Sequence, residues 1–373
     1  SELQRICNQL LEGIENDKSS RKDWEKTYTD GLKYLGMKFD EDRSEPFEGA
    51  SGVIHPLLGE AVTSFQAQAY KELLPSGGPV KTQVVGDYNS AIEEQAQRVK
   101  EFMNYQIVHN MEEYDQELDQ LLFYLPLAGS AFKKIYYDSA LGRAVSKFVA
   151  PEDLIVPYYT TDLESCSRIT NVVKMSENEV KKLQALGFYR NIEIQTGDDN
   201  NQYGEVDQEI EKLSGMQGHD DDVAVLYEVH CNLDIPGFED MSADGIATGV
   251  KLPYIVTIDS NTDKILSIRR TYRDQDPLRK KIEYFVHFNF LPGLGLYGFA
   301  LTHMIGGLSK ASTSIMRQLI DAGTLANLPA GFKTRGIRIR DEDTPIQPGE
   351  FRDVDAPGGS LRESIQPLPF KEP

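Results

Sequence analysis

The apolar period of this chain changes near residue 130, and that change restricts the fold more than any other feature. Before it, apolar residues recur three or four positions apart: Leu3, Ile6, Leu10 and Ile14, then Trp24, Tyr28, Leu32 and Leu35 after a polar break at Asp17–Arg21. That spacing lays one apolar stripe along a helix. Helices are expected over residues 1–35 with the break, over His55–Leu74, and from Ser90 to about Leu125, with a short strand at Lys81–Val85. After residue 130 apolar and polar residues alternate. KKIYYD and AVSKFV, joined by SALG, read as a β-hairpin. AVLYEVHCNL, LPYIVTID, KILSIRRTY and IEYFVHFNF read as strands, three or four of which pair in one antiparallel sheet. Helices grouped ahead of strands, rather than alternating with them, give an α+β class. Ser176 and Glu179 fit a capping box ahead of a short helix, and the acidic segment 197–222 reads as a loop or insertion.

Acidic residues number 59 against 39 basic ones, a net charge of −20, which argues against a surface that broadly coats DNA or an anionic membrane. The cysteines, Cys7, Cys166 and Cys231, are odd in number and form no CxxC pair, the pattern of a reducing compartment. The N-terminal SELQRICNQLLEGIEN is acidic and amphipathic, unlike a signal peptide. No formal charge occurs between Glu283 and Lys310, a stretch long enough to cross a bilayer. Its Pro292, His287, His303 and Asn289, and its strand-like start, lead us to expect no membrane span.

Gly293-Leu294-Gly295-Leu296-Tyr297-Gly298 is a GxGxxG between an expected strand and an expected helix, the setting of a dinucleotide-binding turn. An NAD-type oxidoreductase built on Gly293, Gly295 and Gly298 is therefore the alternative reading. Against it, the preceding strand alternates like a half-buried one, and no acid ends a strand about 20 residues on. The favoured reading is a strand-to-helix hinge in which the glycines permit close packing. His219-Asp220-Asp221-Asp222 is a weak oxygen-ligand set. No GxxxxGK[ST], GxSxG or HExxH occurs, so no metal, cofactor or enzymatic activity is expected.

A helix expected over 298–327 carries a narrow seam of Leu301, Ile305, Leu308, Ser312, Ile315, Leu319 and Ala322. Heptad spacing of this kind suits a helix packed against one neighbour. From Leu301 to Arg340 six basic residues (Lys310, Arg317, Lys333, Arg335, Arg338, Arg340) face one acid, Asp321, a local reversal of the chain's sign. These six are candidate phosphate-proximal residues, with a solvated face or subunit salt bridges as the plain alternative.

The stretch GLYGFALTHMIGGLSKASTSIMRQLIDAGTLANLPAGF, followed by PGEFRDVDAPGGSLRESIQPLPFKEP, resembles portal proteins of tailed bacteriophages. So does PFEGASGVIHPLLGEAVTSFQAQAYKELLP near the other end. The resemblance implies an α+β portal fold. Residues 1–297 would form the wing (helical to 129, β-rich over 130–297), 298–327 the first stem helix, and 328–373 a small β-rich clip. In the family a second stem helix and a crown follow. It also implies a homo-oligomeric ring, typically of twelve subunits, at one capsid vertex of the virion. Double-stranded DNA passes through the ring during packaging and ejection, while terminase, major capsid and scaffold proteins, and later tail adaptors dock on it. No ATPase and no membrane partner belong to that picture.

Overall fold

The computed structural model describes residues 2–37, 49–139, 141–195, 204–215, 223–241 and 247–327, and the short strand segments 331–333, 338–339, 354–355 and 365–367. The fold is mixed α+β, with two larger antiparallel sheets. It divides into two compact units, Ser1–Met37 with Pro56–Gly307, and Lys38–His55 with Leu308–Pro373.

In the first unit α1 (Glu2–Ser20) and α2 (Lys22–Lys33) meet at Arg21, within the polar break seen in the sequence. α3 (Leu57–Leu73) ends before the Pro-Gly turn. The single helix expected from Ser90 is instead two, α4 (Ser90–Tyr105) and α5 (Tyr114–Ala128), separated by a π turn at Gln106–Asn110. The β-branched Ile107 and Val108, with His109 and Asn110, make that stretch a poor helix former. Lys81–Val85 forms no strand. Asn104 of α4 instead holds the segment beside it, accepting from Val80 N at 2.8 Å and donating to Val80 O at 3.1 Å.

The hairpin forms as expected from β1 (Ser130–Asp138) and β2 (Arg143–Val149). A five-stranded antiparallel sheet runs in chain order through β3 (Leu154–Ile155), β4 (Arg168–Ser176), β5 (Val223–Leu233), β6 (Leu252–Asp259) and β7 (Lys264–Arg270). Three of the four strands expected to pair, β5, β6 and β7, lie side by side in it; the fourth, β8 (Phe285–Asn289), pairs instead with β1 in a sheet ordered β2-β1-β8. The reason lies in its aromatic residues. Phe285 packs with Phe132, Val149 and Leu154, whereas Phe288 and Phe290 pack with Leu118, Leu121 and Leu122 of α5, so this strand needs apolar cover on both faces.

Period-two burial explains the larger sheet. Tyr227, Val229 and Cys231 of β5 meet Ile6, Cys7, Leu10 and Ile14 of α1, while Ala224 and Leu226 face Val180 of α6 (Glu177–Ala185) on the opposite side. Ser176 caps α6 by accepting from Glu179 N at 3.3 Å. The acidic segment read as a loop contains a helix, α7 (Glu205–Ser214), which overturns the loop reading there. Val206, Ile210 and Leu213, four and three apart, pack against the Tyr28 and Leu32 cluster of α2. Of its acids Glu205 is exposed, while Asp207, Glu209 and Glu211 are half-buried. Residues 197–203 and 216–222, including His219 to Asp222, lie outside the described residues.

Two ionic contacts tie elements together. Arg168 of β4 donates to Asp17 Oδ2 of α1 at 2.7 and 2.9 Å. Lys134 of β1 reaches both oxygens of Glu228 on β5 at 2.7 Å, and His230 Nε2 lies 2.7 Å from Glu228 Oε1. Burial opposes ionisation of Glu228, but the His230 bond and the Lys134 ammonium outweigh it and hold the carboxyl down at about 2.

α8 (Leu301–Asn327) is the long helix expected from 298, starting three residues later. In the second unit β9 (Gly331–Lys333) pairs with β12 (Ile365–Pro367), and β10 (Arg338–Ile339) with β11 (Val354–Asp355), both antiparallel. Among the described residues, no helix is long and apolar enough to cross a membrane.

Candidate functional site

α8 carries most of the residues the sequence singles out. Its expected seam is split. Leu301 and Ile305 pack against the Tyr28, Leu58 and Leu127 cluster, while Leu308, Ile315 and Leu319 stay 60, 58 and 53% exposed. Met304, at 61%, precedes them. Positions 304, 308, 315 and 319 are spaced four, seven and four apart, so they form one apolar ridge along the helix. Ser312 and Ala322 are half-buried beside it.

From Ser309 onward the covered side of α8 is polar. Ser309 and Thr313 are buried, and residues 51–55 run antiparallel to the helix on that side. His55 N donates to Thr313 Oγ1 at 3.1 Å, Arg317 donates to Val53 O at 2.7 Å and Gly52 O at 3.0 Å, and Ser51 N donates to Asp321 Oδ1 at 2.7 Å. The registers match: two extended residues advance about 6.6 Å and four helical residues about 6.0 Å. Thr-x3-Arg-x3-Asp at 313, 317 and 321 is the sequence signal for this contact, and it was not read as one. Arg317 therefore has an intrachain partner that the phosphate-facing reading did not foresee. Lys310 is exposed. Lys333 and Arg338 fall within β9 and β10, and Arg335 and Arg340 lie outside the described residues.

The glycine turn follows an edge strand of an antiparallel sheet, not the parallel strand a dinucleotide-binding turn requires. Gly298 N donates to Ser130 Oγ at 2.8 Å, and Ala300 N donates to His303 Nδ1 at 3.0 Å, so these donors at the head of α8 have partners within the chain. A Cβ on Gly293 would lie 2.1 Å from Tyr297 O, and one on Gly298 would lie 2.4 Å from Gly129 O. A Cβ on Gly295 would meet nothing within 4 Å. Close backbone packing accounts for two of the three glycines. Among the described residues, no group of three or more His, Cys, Asp or Glu is placed to hold a metal ion.

No protein-family model matches the chain, and a search of curated proteins found no match.

Proposed function

We propose that this chain is a portal-type ring subunit, assembling head to tail around a channel for double-stranded DNA at a capsid vertex. The observation that carries the reading is the exposed apolar ridge of α8, Met304, Leu308, Ile315 and Leu319. Contiguous apolar surface of this kind on a folded chain marks an interaction site. In a heterologous ring every copy presents the same helix to a different surface of its neighbour, and the ridge is covered all the way round. α4 supports the same reading: Ile92, Val99, Phe102 and Met103 are exposed, and none of its residues is buried. The sequence resemblance at both ends supplies the class of assembly, and with it terminase, scaffold, capsid and tail adaptors as partners.

In this reading the chain contributes no chemistry of its own. An acidic protein, at −20, lines the path of a polyanion without gripping it, and isolated cations such as Lys310 make local phosphate contacts. A double substitution, Leu308→Glu with Ile315→Glu, tests the ridge. Both positions are exposed, so folding stability changes by roughly 0.5 kcal/mol or less per site, whereas charges in a ring interface abolish assembly. Light scattering is expected to report single chains for this variant; ring-sized particles from it would refute the role given to the ridge.

A further inference from the structure

β7 and the connection that follows it are a second local reversal of the chain's sign. Residues 264–281 hold seven basic residues and two acids, in a chain of net charge −20. After β7 the backbone runs out and back as a narrow ribbon: Ile282 N donates to Thr271 O at 2.7 Å, and Tyr272 lies opposite Lys281. The base is tied down by Lys281, whose Nζ donates to Leu163 O at 2.7 Å and to Cys166 O at 3.3 Å. The turn is held as well. The Asp276 carboxylate accepts from Leu278 N at 3.0 Å and from Lys280 N at 3.1 Å, and Arg279, in the left-handed region at φ +46°, pairs with Asp240. Carried one residue on, the register sets Arg273 opposite Lys280. Like charges so placed are destabilising. Both side chains are exposed, and among the described residues neither forms an ion pair; Asp274 pairs with Arg270 instead, at 3.6 Å.

The opposite imbalance lies around α5. Residues 101–132 hold six acids and no Lys or Arg. Two of the six are engaged: Glu113 with Arg143 and Ser146 N, Glu117 with Phe148 N. Asp115 and Asp119, four apart on α5, and Glu112 just before it are exposed. Asp115 and Asp119 meet only the uncharged Tyr70 and Gln66, and among the described residues no cation pairs with these three acids. We propose that the 271–282 ribbon is an assembly contact for a second copy of this chain, with Arg273 and Lys280 of one copy set against Glu112, Asp115 and Asp119 of the next. The proposal rests on the ring reading and adds a charged contact to the α8 ridge. Two different patches of one chain meet head to tail, the heterologous contact that closes a ring. Each patch supplies the charge the other lacks, and the acids relieve the repulsion between Arg273 and Lys280. Nucleic acid fits the ribbon less well. Asp274 and Asp276 stand among its cations, and Leu278, 74% exposed at the turn, is of no use against phosphates. Arginine beside an exposed apolar side chain is the composition of a protein interface.

Charge reversal with rescue, read by light scattering on the whole chain, tests the contact. Arg273→Glu with Lys280→Glu is expected to raise the concentration needed for assembly about a hundredfold, since acids then face acids across the contact. Adding Glu112→Lys and Asp119→Lys to the same chain should restore assembly. The unaltered protein should assemble less readily as salt rises, because the facing charges are screened. Arg273→Gln with Lys280→Gln puts no new charge on the ribbon, so it folds even if the reversed variant does not, and it should show a smaller loss of the same sign. Unimpaired assembly of the Gln variant overturns the proposal, and so does a loss in the Glu variant that the two lysines fail to restore; rings of the unaltered protein would then leave the portal reading standing. An unaltered protein that stays a single chain overturns both. A labelled DNA duplex bound by the unaltered protein and released by the Gln variant, with assembly of that variant intact, would assign the ribbon to nucleic acid instead.

Discussion

Gly298→Ala is expected to destabilise the first unit severely, and Gly295→Ala to leave it unchanged. The added Cβ at 298 would sit 2.4 Å from Gly129 O, 2.5 Å from Leu291 O and 2.8 Å from Asn289 Oδ1. Two of these are backbone atoms, fixed by the ladder between β1 and β8 and by Phe290 N donating to Gly129 O at 3.0 Å. They cannot rotate aside, so the loss lies at the upper end of overpacking penalties, about 3 kcal/mol. Gly129 needs its glycine as well, since its φ is +84° and its own Cβ would approach Gly298 O at 2.3 Å. Gly295 has no neighbour within 4 Å of an added Cβ. Thermal denaturation of the two variants separates packing from ligand binding: a nucleotide-cradling turn would make Gly295 matter for binding, and equal stability losses at 295 and 298 would contradict the packing account.

Lys134→Met has the second-largest expected effect. Lys134 and Glu228 join the two larger sheets, and removing the cation leaves Glu228 with His230 alone. Breaking a fully buried pair costs about 3–5 kcal/mol. Here the side chains are 19 and 20% exposed, and solvent screening lowers the expectation to about 2 kcal/mol. The effect depends on pH in a definite direction. Glu228 is held below its ordinary 4.5, so its contribution is complete above 4.5 and is lost as pH falls towards about 2. Urea denaturation at several pH values should show the gap between wild type and variant narrowing on acidification. A gap that stays constant from neutral pH to pH 2 would show that the pair acts through packing alone.

How much of this was legible in the sequence depended on whether a residue's partner was local. α1, α2 and α3, the hairpin β1–β2 and the Ser176 cap followed from spacing alone, because a helix stripe or a turn is a property of neighbouring residues. Spacing left open whether β8 joins β5–β7, because the choice of β1 over β7 turns on Phe285, Phe288 and Phe290 finding cover on both faces, which only the assembled layers decide. The helix in the acidic segment was hidden by composition. Three residues, Val206, Ile210 and Leu213, suffice to dock α7, and its many acids masked their four-and-three spacing. On α8 the spacing identified a helix that needs a neighbour but could not say which face the chain itself covers. Thr313, Arg317 and Asp321 hold residues 51–55, so the polar side faces inward and the apolar ridge is left outside. Strands β4 and β3 gave little signal, since Arg168–Ser176 mixes polar and apolar residues without strict alternation and Leu154–Ile155 is only two residues long.

The account rests on the α8 ridge being covered by copies of the same chain. Mass by light scattering, taken with negative-stain images of the purified protein, tests this most directly. If the proposed portal-type ring forms, the expected result is a particle of many chain masses, seen as closed rings with a central hole. A mass that stays at one chain over the whole accessible concentration range, with no rings in the images, would contradict it.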